Sequence, residues 1–320
     1  MKKTLCIVLT ALVILVSVPV EIIAADPPLQ EQKAVLITGA STGLGRAMAE
    51  LLASKGHFVY AGARKEQDIA ELSAIENIQG IRLDVTVQSE IDAAVKTITE
   101  AGRGLYGLVN NAGVGVIYPL IEVDEEEFNF QMDVNVYGPY RVTKAFAPLI
   151  IASKGRITTT GSISGILSGT LFGPYSMSKH AMEAFTDSLA KEMARFDVKV
   201  SIIEPGNYDS KIGQNVLKRM KARNFNPEDS QYQEEFAGML AYLGDITAGA
   251  DPIEVAQAAE HALFDPNPKR RYLVVPNQEE AGWTINKQIE ELAQLNQDHK
   301  YSYTRDQLVE MLDAALIANP

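Results

Sequence analysis

Hydrophobic and polar positions follow two alternating patterns along the chain after residue 32. Short apolar runs are typical of strands buried on both faces. They predict strands over 34–38, 58–62, 79–83, 106–110, 155–160, 198–203 and 271–275. Helical spacing between them predicts helices over 44–55, 66–73, 88–101, 124–151, 174–195 and 252–264. Strands alternating with helices predict one α/β domain over 33–275, a doubly wound parallel sheet of about seven strands with helices on both faces.

The first predicted strand leads into a glycine-rich loop, T38-G-A-S-T-G-L-G45, and then into an amphipathic helix. Gly39 permits a tight turn, while Gly43 and Gly45 let the backbone approach a pyrophosphate and pack closely. The anion would lie at the helix N-terminus, where free N–H groups favour negative charge. A turn with a purely structural role is the alternative. The strand–loop–helix order favours dinucleotide binding on a Rossmann fold.

Tyr175 and Lys179 are four residues apart, about one helical turn, so a helix beginning near Pro174 projects both from one face. The pKa of tyrosine is normally about 10, and a neighbouring ammonium group lowers it. The tyrosine then suits proton transfer at a carbonyl or alcohol, and the hydroxyl of Ser162 can hold the substrate oxygen. Without the upstream loop, the Tyr-x-x-x-Lys spacing would indicate only a solvated helix face.

Four blocks together resemble the short-chain dehydrogenase/reductase family over roughly residues 33–210. They are the glycine-rich loop, N110-N-A-G113, the Asn135 block V-N-V-Y-G, and Ser162 with the Tyr175–Lys179 pair. The segments G-P-Y-R-V-T-K-A-F and I-E-P-G-N are especially similar to the retinol and hydroxysteroid dehydrogenases of that family.

The resemblance implies that Tyr175 is the general acid/base and that Lys179 lowers its pKa and holds the nicotinamide ribose. Ser162 would orient the substrate oxygen, and Asn135 would position the lysine through a water. For Asn135 the alternative is an amide that satisfies local backbone, and for Ser162 it is a loop or N-cap serine. The implied cofactor-binding residues are Gly39, Ser41, Thr42, Gly43, Leu44, Gly45, Arg64, Asp84, Val85, Asn110, Ala112, Gly113, Tyr175, Lys179, Pro205 and Gly206.

The choice of cofactor depends on the end of the second strand. An NAD enzyme usually places a carboxylate there, whereas this chain has Ala63 followed by Arg64 and Lys65. A guanidinium group suits a 2′-phosphate, so NADP(H) is favoured and NAD(H) is the alternative. The two basic residues would otherwise only begin a solvated helix. The resemblance places Asp84 at the adenine amine.

Residues 206–250 are polar and irregular, and we expect a substrate lid there. Its apolar residues predict either a lining for the pocket or an anchor for a surface helix pair: Met220, Phe225, Phe236, Met239, Leu240 and Tyr242. Residues 278–320 form an extension with helices expected near 282–296 and 304–317, either a subunit contact or a pocket cover. The acidic run 124–127 is interpreted as solvated charge at a helix start.

The N-terminal residues 1–25 combine Lys2 and Lys3 with an apolar run over 5–20. This pattern predicts a signal peptide or a membrane anchor, although the run is short for a span of about twenty residues. Either reading places the enzyme outside the cytoplasmic membrane, where nicotinamide cofactors are scarce. Attachment on the cytoplasmic face would remove this conflict.

The remaining composition excludes several classes of function. Cys6 is the only cysteine and the four histidines are scattered, so neither a disulfide framework nor a metal site is expected. A net charge of −12 disfavours a nucleic-acid partner. The sequence thus predicts an NADP-dependent oxidoreductase, a homo-oligomer by family likeness, that interconverts a secondary alcohol and a carbonyl on a steroid-, retinoid- or lipid-like small molecule. The alternatives are an NAD-dependent alcohol dehydrogenase, an epimerase or dehydratase, and a cofactor-binding sensor or scaffold without turnover.

Overall fold

The computed structural model describes residues 32–245 and 249–318. The strands are β1 Ala34–Ile37, β2 Phe58–Ala63, β3 Ile78–Arg82, β4 Gly107–Asn110, β5 Arg156–Thr160, β6 Lys199–Pro205 and β7 Arg271–Val274. All pair in parallel in one sheet of order β3-β2-β1-β4-β5-β6-β7. The predicted seven-stranded, doubly wound Rossmann fold is therefore confirmed.

The helices cover both faces of this sheet. They are α1 Gly43–Ser54, α2 Glu66–Ser73, α3 Gln88–Glu100, α4 Glu125–Met132, α5 Gly138–Ala152, α6 Gly173–Met193, α7 Ile212–Ala222, α8 Gln233–Asp245, α9 Ile253–Phe264, α10 Gln278–Leu295 and α11 Arg305–Ala318. Short 3₁₀ turns occur at Ile163–Gly165, Ala194–Phe196 and Pro227–Asp229. The C-terminal extension is helical, as predicted, and α10 begins four residues earlier than expected because Asn277 caps it.

The sheet has a hydrophobic core on each face because successive side chains of a strand point to opposite sides. Val35 and Ile37 of β1 pack into one core with α1 and α9. Ala34 and Leu36 pack into the other core with α3, α5 and α6. This double burial explains why the strands appear in the sequence as continuous apolar runs rather than as alternating ones.

The segment predicted as one helix, 124–151, is helical from Glu125 to Ala152 but not α-helical throughout. It is divided into α4 and α5 by a π-helical turn at Asp133–Tyr137. Pro139 lies in the first turn of α5, directly after the π-helical turn. Proline has no N–H group to continue the α-helical hydrogen-bond pattern, so it is tolerated best where that pattern changes. The turn inserts one extra residue into the helical spacing and so rotates the buried Asn135 relative to the flanking helices.

Strand order reverses direction between β1 and β4, and this switch point is where open α/β sheets bind ligands, beyond the carboxyl ends of the strands. The predicted leader, residues 1–25, lies outside the described residues. Within 32–245 and 249–318, no helix has the length and apolar character needed to cross a membrane.

Candidate active site

A cavity of about 280 Å³ opens at the carboxyl ends of the strands. Its walls come from the loops after β1, β4, β5 and β6, together with α6 and α7. Eleven of the residues predicted from the sequence line it: Gly39, Thr42, Gly43, Leu44, Gly45, Gly113, Ser162, Tyr175, Lys179, Pro205 and Gly206. The fold thus brings the glycine-rich loop and the predicted catalytic residues to one site.

The glycine-rich loop has a backbone that only glycine adopts easily. Gly39 and Gly43 have φ angles of +66° and +55°. Gly45 is in the first turn of α1, and a Cβ there would overlap both the side-chain amide of Asn111 and the carbonyl oxygen of Gly39. Thr42 precedes α1 in an extended conformation without a side-chain cap, so N–H groups of the first turn remain available to an anion.

Asn111, which the sequence interpretation missed, fixes this loop against β4. Its Nδ2 atom donates to the carbonyl oxygens of Thr38 and Gly39 at 3.0 and 3.1 Å. Asn110, predicted to line the cofactor, instead donates from Nδ2 to Thr143 Oγ1 at 2.9 Å beneath α5 and is outside the cavity lining. Strand alternation was the signal that could have separated the two asparagines, because neighbouring side chains face opposite sides.

Tyr175, Ser162 and Lys179 meet in the cavity because α6 begins at Gly173, with Pro174 in its first turn, directly over the end of β5. The Ser162 hydroxyl group lies close enough to that of Tyr175 to lower its pKa. Ser162 Oγ also accepts from Ser164 N–H at 3.1 Å, so the hydroxyl proton of Ser162 stays free to be donated. Lys179 Nζ donates to the Thr160 carbonyl at 2.9 Å and lies 5.7 Å from the centre of the Tyr175 ring.

The protonation balance of this group differs from the expectation. Burial raises the pKa of Tyr175, and the hydrogen bond from Ser162 opposes that rise. Burial also lowers the pKa of Lys179 to about 8, against the attraction of Glu183. The lowered pKa that the sequence predicts for Tyr175 is thus not what the protein alone produces, because the desolvation of the buried hydroxyl group exceeds the opposing effect of Ser162.

Asn135 is buried in the π-helical turn and uses both ends of its amide. Nδ2 donates to the Val114 carbonyl at 3.0 Å and to Ser178 Oγ at 3.1 Å, and Oδ1 accepts from Val114 N–H at 2.8 Å. Its backbone partner is thus Val114, 21 positions earlier in the loop after β4, and its role in positioning Lys179 stays a prediction. A Cβ on Gly113 would make ordinary contacts with Asn135 Oδ1 at 3.5 Å and with Lys179 Nζ at 4.0 Å, so Asn135 and Lys179 both lie beside this residue.

Five other predicted cofactor residues are outside the cavity lining: Ser41, Arg64, Asp84, Val85 and Ala112. The Arg64 side chain is 65% exposed at the end of β2, and its Nη1 atom lies 3.9 Å from Asp84 Oδ2. Asp84 Oδ1 accepts from the backbone and hydroxyl of Thr86 at 2.9 and 2.7 Å. Val85 is buried against Gly138. Arg64 and Asp84 thus form a polar, solvent-accessible edge at the end of β2. The neighbouring strand β1 leads into the glycine-rich loop.

The helices over 206–250 place only part of their apolar surface in the cavity. Ile212, Val216 and Leu243 line it. The predicted lid residues do not line it but pack behind this wall, in one apolar cluster with Val216 and Leu243 in which Phe236 is fully buried: Met220, Phe225, Phe236, Met239 and Leu240. The Tyr175 ring packs against this cluster. The side chain of Tyr242 lies outside the described part of the chain.

The acidic run at the start of α4 is not uniformly solvated, and that interpretation is wrong for Glu127. Its side chain is 3% exposed. It accepts from Arg219 of α7 through two bonds of 2.6 and 2.8 Å, and Arg223 lies 3.3 Å away. The Arg219 guanidinium group also lies 3.6 Å from the centre of the Phe130 ring. Glu127 therefore attaches α7 to the body of the domain.

The C-terminal helix α10 forms another part of the cavity wall, which sequence reasoning left undecided. Buried Glu280 accepts from Asn207 N–H at 2.8 Å and contacts Gly206 so closely that a Cβ there would overlap it. Trp283, one turn further, lines the cavity with half of its surface exposed. The first turns of α10 thus cover the pocket. By contrast, α11 buries no residue.

The short chain dehydrogenase family model matches residues 33–221. This chain belongs to that family. Membership confirms the class predicted from the motifs, an NAD(P)-dependent oxidoreductase acting on CH–OH groups. Among the residues that the structure describes, no group of three or more His, Cys, Asp or Glu side chains could hold a metal ion.

Three named relatives illustrate what this short-chain dehydrogenase is similar to. It is 32% identical over 262 residues to the mitochondrial D-beta-hydroxybutyrate dehydrogenase of Rattus norvegicus, covering 75% of this chain and 76% of that one. It is 34% identical over 251 residues to the NADPH-dependent 3-dehydrocapnine reductase of Ornithobacterium rhinotracheale, covering 75% and 87%. It is 32% identical over 267 residues to retinol dehydrogenase 7 of Rattus norvegicus, covering 79% and 81%, which confirms the resemblance to that branch.

Among solved structures, the dehydrogenase is similar to a short chain dehydrogenase/reductase of Burkholderia phymatum in complex with NAD. The TM-score is 0.69 and the identity 25%, over 82% of this chain and 95% of that one. The match supports the fold derived above from the strand order.

Proposed function

We propose that this enzyme interconverts a secondary alcohol and a carbonyl with NADP(H), and that Tyr175 is its general acid/base. The observation that carries the proposal is the convergence of Ser162, Tyr175 and Lys179 on the cavity that the glycine-rich loop also lines. A protein that only bound a nucleotide would need the loop, but it would not need a hydroxyl pair and an ammonium group at the opposite wall.

The loop fits a nicotinamide dinucleotide. Its positive φ angles and missing side chains leave a cradle of N–H groups at the start of α1, which suits a pyrophosphate. Lys179 would hold the ribose, and Pro205 and Gly206 would lie beside the nicotinamide, whose chemistry is hydride transfer.

Tyr175 and Ser162 would manage the proton and the charge on the substrate oxygen. Because Ser164 N–H occupies one lone pair of Ser162 Oγ, the serine can donate its proton to that oxygen while Tyr175 donates its own. Burial raises the pKa of Tyr175, so at neutral pH the residue holds the proton that carbonyl reduction requires. A cationic Lys179 stabilises the phenolate that remains.

The preference for NADP(H) is supported by Arg64. Its guanidinium group is exposed at the end of β2, where Ala63 supplies no carboxylate to receive ribose hydroxyl groups. The relative from Ornithobacterium rhinotracheale is named NADPH-dependent. Asp84, 3.9 Å from Arg64, and the relative solved with NAD support the alternative, NAD(H).

A hydrophobic substrate is supported by the cavity wall opposite the glycine-rich loop. Apolar side chains from five elements form it: Ile117, Phe172, Ile212, Val216, Leu243 and Trp283. The printed names of relatives include a retinol dehydrogenase and, on the polar side, a hydroxybutyrate dehydrogenase. The apolar side chains support a retinoid-, steroid- or lipid-like molecule, while Lys211 in the same lining supports the alternative of a short hydroxy acid, with whose carboxylate it would pair.

Replacement of Tyr175 tests the chemistry. Tyr175→Phe should lower kcat by at least about 10²-fold, the usual contribution of a general acid, and leave NADPH affinity unchanged. Tyr118→Phe is the matched control, because that tyrosine lies in the neighbouring apolar cluster and lacks a place at the cavity wall. Equal activity of the two variants would refute the role of Tyr175, and loss of NADPH binding would indicate damage to the fold.

Calorimetric titration with NADPH and NADH tests the cofactor. The wild type should bind NADPH more tightly, and Arg64→Asp should reverse the order because a carboxylate repels the 2′-phosphate. Lys96→Asp is the control for net charge, since Lys96 is 74% exposed on α3. An unchanged preference in Arg64→Asp would leave NAD(H) as the better assignment, and binding of neither nucleotide would contradict the enzyme reading.

A further inference from the structure

Four charged residues form a cluster where α6 packs against β6 and β7, and none of them lines the cavity. Arg271, the first residue of β7, donates to both oxygens of Asp187 at 3.0 and 2.9 Å. Its Nη2 atom also lies 3.1 Å from Glu183 Oε2, and its Nε atom lies 3.4 Å from Glu204 Oε1. One guanidinium group thus faces three carboxyl groups.

The cluster lacks enough donors for three ionised carboxylates. Glu204 is 3% exposed, and the Glu183 side chain is 14% exposed. No donor among residues 32–245 and 249–318 makes a well-aligned hydrogen bond to either oxygen of Glu183 or to Glu204 Oε1. Buried carboxylate oxygens without donors are costly. A proton held on one of the two carboxyl groups supplies the missing donor and removes one of the negative charges.

Glu183 is also the charged residue one helical turn after the catalytic lysine, Lys179. Both side chains therefore leave the same face of α6. A Cβ on Gly165, in the 3₁₀ turn after Ser162, would lie 2.8 Å from Glu183 Oε1 and 3.3 Å from the Lys179 carbonyl oxygen. Around Glu183, α6 contributes Lys179 and Asp187, β6 contributes Glu204, and β7 contributes Arg271.

We propose that Glu204 donates a shared proton to Glu183, and that the ionised Glu183 is a positioning residue that keeps Lys179 cationic during turnover. Together the two carboxyl groups of Glu183 and Glu204 carry one negative charge. This charge lies on Glu183, and the Arg271 guanidinium group keeps it there. This inference rests on the proposed role of Lys179 in catalysis. It adds two residues that do not touch the cavity, and it assigns them opposite protonation states.

The direction of the pKa shifts agrees with this arrangement. Burial, followed by the charge of Glu183, raises the pKa of Glu204 to about 8, so Glu204 carries the proton at neutral pH. The hydrogen bond from Glu204 and the charge of Arg271 both oppose the rise that burial causes in the pKa of Glu183. Glu183 in turn raises the pKa of Lys179, against desolvation.

Competitive acetylation of Lys179 with acetic anhydride, quantified by mass spectrometry across pH, tests the proposal without turnover. Glu183→Gln should move the labelling midpoint of Lys179 downward by roughly one pH unit, because the nearby negative charge is lost. At pH values below 8, Glu204→Gln should leave the labelling of Lys179 unchanged, because the Gln amide reproduces the hydrogen bond that protonated Glu204 donates. Asp187→Asn is the control, a carboxyl group of the same cluster one turn further along α6.

The two glutamates are buried neighbours, so a merely structural role predicts the same result for both variants. Equal shifts in Glu183→Gln and Glu204→Gln, or no shift in either, would overturn the proposal. Infrared spectroscopy gives a second measurement on the wild type if a variant does not fold. A protonated carboxyl band should be present at pH 7, be lost as the pH rises past about 8, and be missing from Glu204→Gln. A wild type without that band at pH 7 would also overturn it.

The pH dependence of kcat/KM then connects the cluster to catalysis. Its alkaline limb should move to lower pH in Glu183→Gln and stay in place in Asp187→Asn. If the wild type reduces no carbonyl compound with NADPH, the proposed function fails, while the labelling experiment still decides the state of the two glutamates. If turnover is present and the limb does not move, the positioning role fails and the proposed function stands.

Discussion

Replacing Glu127 with Gln should loosen α7 without unfolding the domain. Glu127 is buried, and its carboxylate receives two charged hydrogen bonds from Arg219. A hydrogen bond to a charged group contributes about 1.5–3 kcal/mol. Gln retains one acceptor oxygen but loses the charge and the second acceptor. Arg219 keeps its stacking on Phe130 and some contact with water. We therefore expect a loss of about 2 kcal/mol, a factor of roughly 30 in the opening equilibrium.

Hydrogen exchange measured by mass spectrometry reports this opening directly. Amides of α7 should exchange roughly 30-fold faster in Glu127→Gln, while those of the central strands keep their wild-type rates. Because Ile212 and Val216 line the cavity, KM for an apolar substrate should rise as well.

Glu126→Gln is the matched control, since it changes the neighbouring residue in the same way. Glu126 is 74% exposed and lies 3.0 Å from Arg223, so its surface ion pair contributes at most about 1 kcal/mol and the exchange should accelerate less than about fivefold. Equal acceleration in the two variants would refute the reasoning, because it would mean that burial of Glu127 adds nothing. Acceleration spread over all strands would show that α7 does not open independently.

Three further predictions concern other parts of the molecule. Gly45→Ala should weaken NADPH binding by about 1–3 kcal/mol in calorimetry, because the new methyl group overlaps Asn111 and the loop; wild-type affinity would contradict the assigned site. Trp283→Ala should raise KM for a bulky apolar ketone more than for a small one, and equal changes would remove α10 from the substrate wall. The free energy of unfolding should fall as pH rises from about 4.5 to about 8, because folded Glu204 keeps a proton that the unfolded chain releases. Urea titrations should show a slope of up to about 1.4 kcal/mol per pH unit that Glu204→Gln lacks, and identical slopes would contradict the raised pKa.

The sequence was sufficient for the sheet because each strand is buried on both faces. Such strands appear as apolar runs between amphipathic helices, and a glycine-rich loop after the first run marks the switch point. The same local signals located Ser162, Tyr175 and Lys179, since helical spacing alone puts the last two on one face. These features depend on neighbours in the chain, so a linear pattern contains them.

Other features depended on contacts between distant segments, which a linear pattern does not contain. Asn110 and Asn111 are adjacent amides whose side chains strand alternation sends to opposite faces, and the packing of β4 against α1 and α5 decides which face meets the loop. Glu127 became a buried anchor because α7 supplies Arg219 from 92 positions away. The direction of the Tyr175 pKa shift was not visible in the sequence, because it depends on the desolvation of the hydroxyl group, a property of the whole fold. Sequence periodicity thus determined the architecture and the identity of the reactive groups, while burial and long-range pairing decided their charge states and the walls around them.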